Sequence, residues 1–316
     1  MSRLMSHHFR SRLAPSPTGA QHLGNARTYL LAWLEARSVG GEIVLRIEDI
    51  DHWRNVPGAK EQLLADFRWL GLDWDGEPVV QSQRLEAHRE ALNALKRREQ
   101  IYPCTCSRSD IQNAASAPHA EHEPPTYPGT CSGRSARDAE SLTVPYAWRF
   151  RVDDTPAFDD AVCGRVELDL KLAGGDFVVW RSADTPAYQL AVVVDDAAAG
   201  ITRVVRGDDL LTSTPRQLLI ARALGLAPPS YAHVPMVLGE NAQRLAKRHG
   251  DTRLASLASA GVPVERVIGF LAWSCGLIER NEPTAATELI PHFSWSKLKR
   301  QPFTFTAKHL RELMAG

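Results

Sequence analysis

Apolar positions change period several times along the chain, and each change marks an element. A short apolar run at Leu13 and Ala14 breaks at Pro15-Ser-Pro-Thr-Gly19. From Gly24 onward Ala26, Leu30, Leu31 and Leu34 recur at helical spacing until Gly40-Gly41, which serves as a C-cap. That order is strand, tight loop, helix N-terminus. Glu42 to Ile47 (EIVLRI) reads as a buried strand running into Glu48, Asp49 and Asp51. Pro57 opens a helix with Leu63, Leu64, Phe67 and Leu70 on one face and Gly71 as its stop. Ser82 caps a second helix through about Arg98, with Leu85, Leu92 and Leu95 inward and Arg84, Arg89, Lys96, Arg97 and Arg98 on a solvated face. From Tyr146 to about Val194 the pattern turns strand-like: YAWRFRV and GRVELDL alternate, DFVVW is short and apolar, and AYQLAVVV is a continuous buried run that would place Asp195-Asp196 at a strand terminus. ITRVVRGDDLL supplies another strand with Arg206 and Asp208 at its exit, Thr214-Pro215 starts a helix ending at Gly225, and YAHVPMVL is a further strand. The tail is helical, with Val264, Val267, Ile268 and Leu271 on one face. The succession predicts an α/β fold around a parallel sheet, interrupted by a strand-rich insertion and followed by a helical segment.

Charge and cysteine content alter this picture at two points. Lys plus Arg equals Asp plus Glu at 37 each in 316 residues, so a nucleic-acid partner has to be held by local patches. Three of the five cysteines, Cys104, Cys106 and Cys131, flank an aperiodic stretch, which suits a zinc-pinned loop better than a secreted disulfide framework. His119 and His122 are the usual chemical choices for a fourth ligand. Cys163 and Cys275 read as core residues. No apolar run approaches the ~18 residues of a membrane span, and Met1 to Arg10 lacks the apolar core of a signal peptide, so the expectation is a cytoplasmic protein without a membrane partner.

The junction at Ser11 to Arg27 is suited to phosphate chemistry. Unpaired N–H groups and the positive helix end face whatever sits above the turn, and His22 can donate to an oxygen gaining charge. Glu48 and its neighbours sit at a strand's C-terminal edge, where ligands of open α/β sheets bind. An arginine such as Arg206 suits a substrate with a side-chain carboxylate, because it grips in bidentate fashion and does not deprotonate. Arg244, Lys247, Arg248 and Arg253 against Asp251 form a basic loop able to meet transferring phosphates.

The string PSPTGAQHLGNAR resembles the first signature of the class I aminoacyl-tRNA synthetases in its glutamyl form, with Asn25 in place of the second histidine. Arg244-Leu-Ala-Lys247-Arg248 resembles the second signature, with Arg244 for its first lysine and Ala246 for its serine. RIEDID and PAYQLAVVVDD resemble the same branch. The resemblance implies a Rossmann-like parallel sheet with a zinc-bearing inserted subdomain and a C-terminal helical segment. It divides the chain into a first half of the nucleotide-binding domain at 1–100, the insertion at 101–186, the second half at 187–250 and a stem-contacting helical segment at 251–316. It implies His22 and Lys247 as catalytic groups; Arg12, Ala14, Ser16, Glu48, Tyr188 and Arg206 as the glutamate pocket; and Pro17, Gly19, His22, Gly24, Asn25, Arg244 and Lys247 around ATP. For the metal it implies Cys104, Cys106, Cys131 and a tyrosine, Tyr127, with His122 as the alternative. The length and the Tyr-x-x-x-Cys spacing resemble the family's truncated branch, which has no anticodon-reading domain and uses ATP and Mg²⁺ to activate glutamate. That branch transfers the glutamyl group to queuosine at the wobble position of tRNA(Asp), binding the anticodon stem-loop, as a monomer by expectation. Conventional charging of the 3′ end of tRNA(Glu), another nucleotidyltransfer reaction and a silent tRNA-binding relative are the competing expectations.

Overall fold

The structure is a computed structural model that describes residues 9–114, 126–243, 245 and 251–315. The first half of the chain runs β1 (Arg10–Leu13), α1 (Leu23–Ser38), β2 (Glu42–Ile47), α2 (Ala59–Trp69), β3 (Val79–Val80) and α3 (Leu85–Arg97). β4 (Ile101–Cys104), α4 (Arg108–Ala114), β5 (Ala147–Phe150), β6 (Phe158–Asp160), β7 (Gly164–Val166), β8 (Phe177–Arg181) and β9 (Thr185–Pro186) follow. Next come α5 (Tyr188–Ala198), β10 (Arg203–Gly207), α6 (Ser213–Leu224), β11 (Ser230–Val234) and β12 (Val237–Leu238). The tail holds α7 (Leu254–Ser259), α8 (Val264–Cys275), α9 (Ala286–Leu289), β13 (Phe303–Thr304) and α10 (Ala307–Met314).

β1, β2 and β3 pair in parallel in that order; β10, β11 and β6 also pair in parallel, with β7 antiparallel at the outer edge. The two sets meet where Thr202 N–H donates to the Arg10 carbonyl at 2.9 Å, beside β10. From β1 the chain therefore winds outward one way and later resumes on the other side, a switch point whose crevice lies beyond the strands' C-terminal ends. The inserted strands make a separate antiparallel sheet, β4-β5-β8-β9, with its own core of Trp148, Phe150, Phe177, Val179 and Trp180 against Leu92, Leu190 and Ile220. β6 and β7 lie within the span 101–186 yet pair with the parallel sheet. The tail joins the main core: β13 pairs with β12, and Trp295 and Arg203 both reach Glu35 of α1.

Five local expectations are corrected. AYQLAVVV forms most of a helix, α5, so Asp195 and Asp196 lie in its last turn and not at a strand end. A continuous apolar run fits a buried strand or a buried helix equally well, and here the element is enclosed by α3, α6 and β8. Ala197 to Ala199 then carry the helix to Gly200 at φ +64°, a left-handed stop. Ser82 does not cap α3. It sits in a 3₁₀ turn over Gln81–Arg84 and gives its N–H and hydroxyl to Asp49, while Leu85 faces outward. α2 begins at Ala59, after left-handed Gly58, two residues beyond Pro57. Cys163 is exposed, on the edge hairpin, whereas Cys275 is buried. GRVELDL keeps strand structure only over Gly164–Val166.

Candidate active site and metal cluster

The crevice is a cleft of about 1450 Å³. The loop after β1 lines it with Ala14, Ser16, Gly19 and His22, β2's exit with Glu48, α5 with Tyr188, and the central strands with Arg12 and Arg206. Gly24 and Asn25 at the start of α1 also face it. Pro17 is turned to a different task, its carbonyl accepting the Val56 N–H. Arg244 and Lys247 lie outside the described residues, but Leu245 and Asp251 to Arg253 on either side line the cleft. The chain after the basic loop is tied to the first signature: Leu23 N–H donates to Thr252 O and Leu254 N–H to Gln21 O.

His22 is the N-cap of α1. Its Nδ1 accepts the N–H groups of Gly24 (3.1 Å) and Asn25 (3.4 Å), and Asn25 Oδ1 accepts the His22 N–H in return. An accepting Nδ1 leaves the ring proton on Nε2. Burial pulls the pKa down to about 4, so the ring stays an uncharged donor at neutral pH. Because that value lies below the ordinary 6.5, the folded state binds fewer protons. This group's contribution to stability is complete above about 6.5 and is lost as pH falls towards 4.

Arg206 is buried, and all four side chains it donates to are uncharged. Nε meets His233 Nε2 (3.0 Å), Nη1 meets Gln217 (2.8 Å) and the Tyr188 hydroxyl (3.4 Å), and Nη2 meets Thr214 (2.7 Å). A positive charge held by neutral groups at a cleft wall is complementary to an anionic ligand. Arg12, also buried, donates to the Val205 carbonyl at 3.0 Å and has Asp196 3.6 Å from its Nε. Glu48 is paired with Arg46 at 2.9 Å, and Arg46 in turn binds Asp196. Burial raises the Glu48 pKa and Arg46 opposes the rise; a ligand ammonium would add a second counter-charge. One residue further back, Asp195 gathers Gln81, Arg84 and His88, so α5 is clamped on both sides while its first residue, Tyr188, reaches the cleft. Sequence reasoning missed Arg46, Asp196, His233 and Thr214. For Arg46 and His233 the visible signal was a charged or polar residue inside an apolar strand, which must find a partner when buried; Asp196 and Thr214 lie in helices and gave no such signal.

Away from the cleft, the Sγ atoms of Cys104, Cys106 and Cys131 lie within 4.8 Å of one another, Cys106 and Cys131 at 3.7 Å. Tetrahedral zinc with ~2.3 Å Zn–S bonds requires sulfurs about 3.8 Å apart, so the donors fit. The Tyr127 hydroxyl lies 3.4 Å from Cys104 Sγ and 4.0 Å from Cys106 Sγ. Arg149 donates to Cys104 Sγ and sits over the Tyr127 ring, placing positive charge beside a thiolate-rich centre. His119 and His122 lie outside the described residues. On α3 and its two caps, Arg84, Arg89, Lys96 and Arg98 are engaged with Asp195, Asp184, the Trp148 ring and the Ala223 carbonyl.

A switch-point sheet, a histidine-capped helix N-terminus beside it and a buried arginine held by neutral side chains across the cleft make up the catalytic domain of a class I tRNA synthetase. The family model for the class I tRNA synthetases (E and Q), catalytic domain, matches residues 8–312. The chain is 48% identical over 311 residues to the glutamyl-Q tRNA(Asp) synthetase of Rhodopirellula baltica, covering 92% of this chain and 94% of that one. It is also 48% identical to the protein of the same name from Symbiobacterium thermophilum, covering 96% and 98%. The chain belongs to the class I E and Q synthetases and, within them, to the glutamyl-Q tRNA(Asp) synthetase family. The fold is shared with the glutamate-tRNA synthetase of Elizabethkingia anophelis, with a TM-score of 0.82 and 25% identity over 97% of this chain and 70% of that one.

Proposed function

We propose that the protein forms glutamyl-adenylate from L-glutamate and MgATP and transfers the glutamyl group to queuosine at the wobble position of tRNA(Asp). The observation that carries the amino-acid half is Arg206, a buried cation held by neutral groups on the same cleft as the His22-capped helix end. The RNA half rests on full-length relatives of that name.

Arg206 and Arg12 hold glutamate's carboxylates, with Ala14, Ser16 and Tyr188 shaping the pocket and Glu48 taking the ammonium. An α-carboxylate oxygen attacks the α-phosphorus, the bond to the β-phosphate oxygen breaks, and pyrophosphate leaves. Gly19, Gly24, Asn25 and Arg244 border the nucleotide, with Pro17 holding the turn behind them, and His22 and Lys247 stabilise the charge that develops. A queuosine hydroxyl then attacks the acyl carbon and AMP departs. The anticodon stem-loop is read as lying across the insertion (101–186) and the tail (251–316), against the two halves of the catalytic domain (1–100 and 187–250). The Cys104, Cys106, Cys131 and Tyr127 set holds one structural zinc, which supplies a pin for the loop and no chemistry in the cleft. A monomer acting in the cytoplasm completes the reading.

The first test is exchange of labelled pyrophosphate into ATP, expected with glutamate and absent with aspartate or glutamine; exchange independent of glutamate contradicts the reading. His22 can be dissected in the same assay. His22→Asn keeps an N-cap oxygen but loses the ring N–H, so kcat should fall about 100-fold with an unchanged melting temperature. His22→Ala should also lose about 1 kcal/mol of stability through the missing cap. Equal activity in the asparagine variant and the wild type contradicts the assigned role.

A further inference from the structure

Three adjacent strands of the parallel sheet each contribute one polar side chain to a buried line. Arg206 of β10 and His233 of β11 are register partners, and Asp160 of β6 pairs in register with Tyr231, two residues before His233. His233 is fully buried, and Asp160 nearly so. Asp160 Oδ2 lies 2.7 Å from His233 Nδ1, and Arg206 Nε lies 3.0 Å from His233 Nε2. The protonation pattern follows from the partners. The Asp160 carboxylate only accepts, so Nδ1 carries a proton; the guanidinium only donates, so Nε2 carries none. Asp160 is itself fixed, since its Oδ1 accepts the N–H groups of Val162, Cys163 and His233.

We propose that Asp160 and His233 form a positioning relay for Arg206. Asp160 selects the Nδ1–H tautomer of His233, whose Nε2 lone pair then fixes the rotation of the guanidinium and aims its one remaining N–H, on Nη2, at the substrate carboxylate. Thr214 and Gln217 hold Nη2 and Nη1, and the His233 bond holds Nε, so all three nitrogens are constrained. The opposite tautomer would set Nε2–H against the Arg206 Nε–H and push the guanidinium out of plane. This inference rests on the glutamate-binding reading of Arg206.

Two substitutions at one position separate the relay from mere packing. In His233→Gln the side-chain oxygen can occupy the Nε2 position and accept from Arg206. In His233→Asn the amide can reach Asp160 but leaves Arg206 Nε without an acceptor. Asp160→Asn is close to isosteric: three backbone N–H groups hold the side-chain oxygen, which turns the NH₂ towards Nδ1 and forces the proton to Nε2. Glutamate KM and kcat in pyrophosphate exchange, with ¹⁵N-histidine spectra to read the tautomer, give the answer. The resonances lost in His233→Gln identify His233. Expected are a glutamate KM raised about tenfold or more in His233→Asn and Asp160→Asn, within about threefold of wild type in His233→Gln, and kcat little changed throughout, the pattern of a lost binding interaction. The spectrum should show Nδ1–H in the wild type and Nε2–H in Asp160→Asn. Equal glutamate KM in the two His233 variants, or a wild-type tautomer and KM in Asp160→Asn, overturns the relay. The tautomer is read without substrate. A wild type showing Nδ1–H and its switch in Asp160→Asn, but no glutamate-dependent exchange, therefore contradicts the functional reading and supports the relay geometry.

Discussion

Arg206→Lys is expected to lower kcat/KM for glutamate in pyrophosphate exchange by about 10²- to 10³-fold, the equivalent of roughly 3–4 kcal/mol from breaking a buried charge-assisted contact. The guanidinium donates to His233, Gln217, Tyr188 and Thr214 through three nitrogens in one plane. An ammonium is a compact point charge with three donors on a flexible stem. It cannot bond those four side chains and still offer an N–H to a carboxylate, as the guanidinium does with its fifth, on Nη2, so acceptors on His233 and Gln217 are left unpaired in a buried wall. KM for ATP should stay near the wild-type value, because the first-signature turn is built by the His22 cap and not by Arg206. A lysine variant within threefold of wild type would mean that the glutamate carboxylate is held elsewhere in the cleft.

The second large effect concerns stability. Cys106→Ser should reduce bound zinc from one equivalent to nearly none and lower the melting temperature by about 10 °C, corresponding to several kcal/mol for a lost structural metal. The cluster joins the end of β4 to the turn at Cys131, and Tyr127 packs there under the Arg149 guanidinium. Without the ion, that small core of Tyr102, Cys104, Ile111, Tyr127 and Cys131 is held mainly by its hydrogen bonds. Metal analysis with a thermal melt checks this. Full zinc content in the serine variant would remove Cys106 from the ligand set.

What the sequence made legible were features set by local chemistry. The Pro-Ser-Pro-Thr-Gly turn before a helical period placed His22 at a helix start, and the apolar run EIVLRI placed Glu48 at a strand exit. ITRVVRG likewise put Arg206 at the end of β10. The cysteine spacing was legible too, since the three sulfurs converge. α5 was misread because its apolar run carries no period, and only the Ala-Ala-Ala-Gly that follows, a helix continuing to its stop, hinted at the answer. Ser82 looked like a cap, but a carboxylate more than thirty positions earlier, Asp49, holds its hydroxyl. The relay from Asp160 through His233 is of the same kind: its members are 73 positions apart, and only the strand order brings them together. Patterning locates a buried polar side chain, whereas its partner is chosen by topology.

The most direct measurement follows radiolabelled glutamate from the adenylate to a nucleotide. With ATP, Mg²⁺ and tRNA(Asp) that contains or lacks queuosine, the label should appear only on the queuosine-containing RNA and should map, after nuclease digestion, to the wobble nucleotide of the anticodon. Label on the terminal adenosine, or equal labelling of RNA without queuosine, would contradict the account and indicate conventional charging of a tRNA 3′ end.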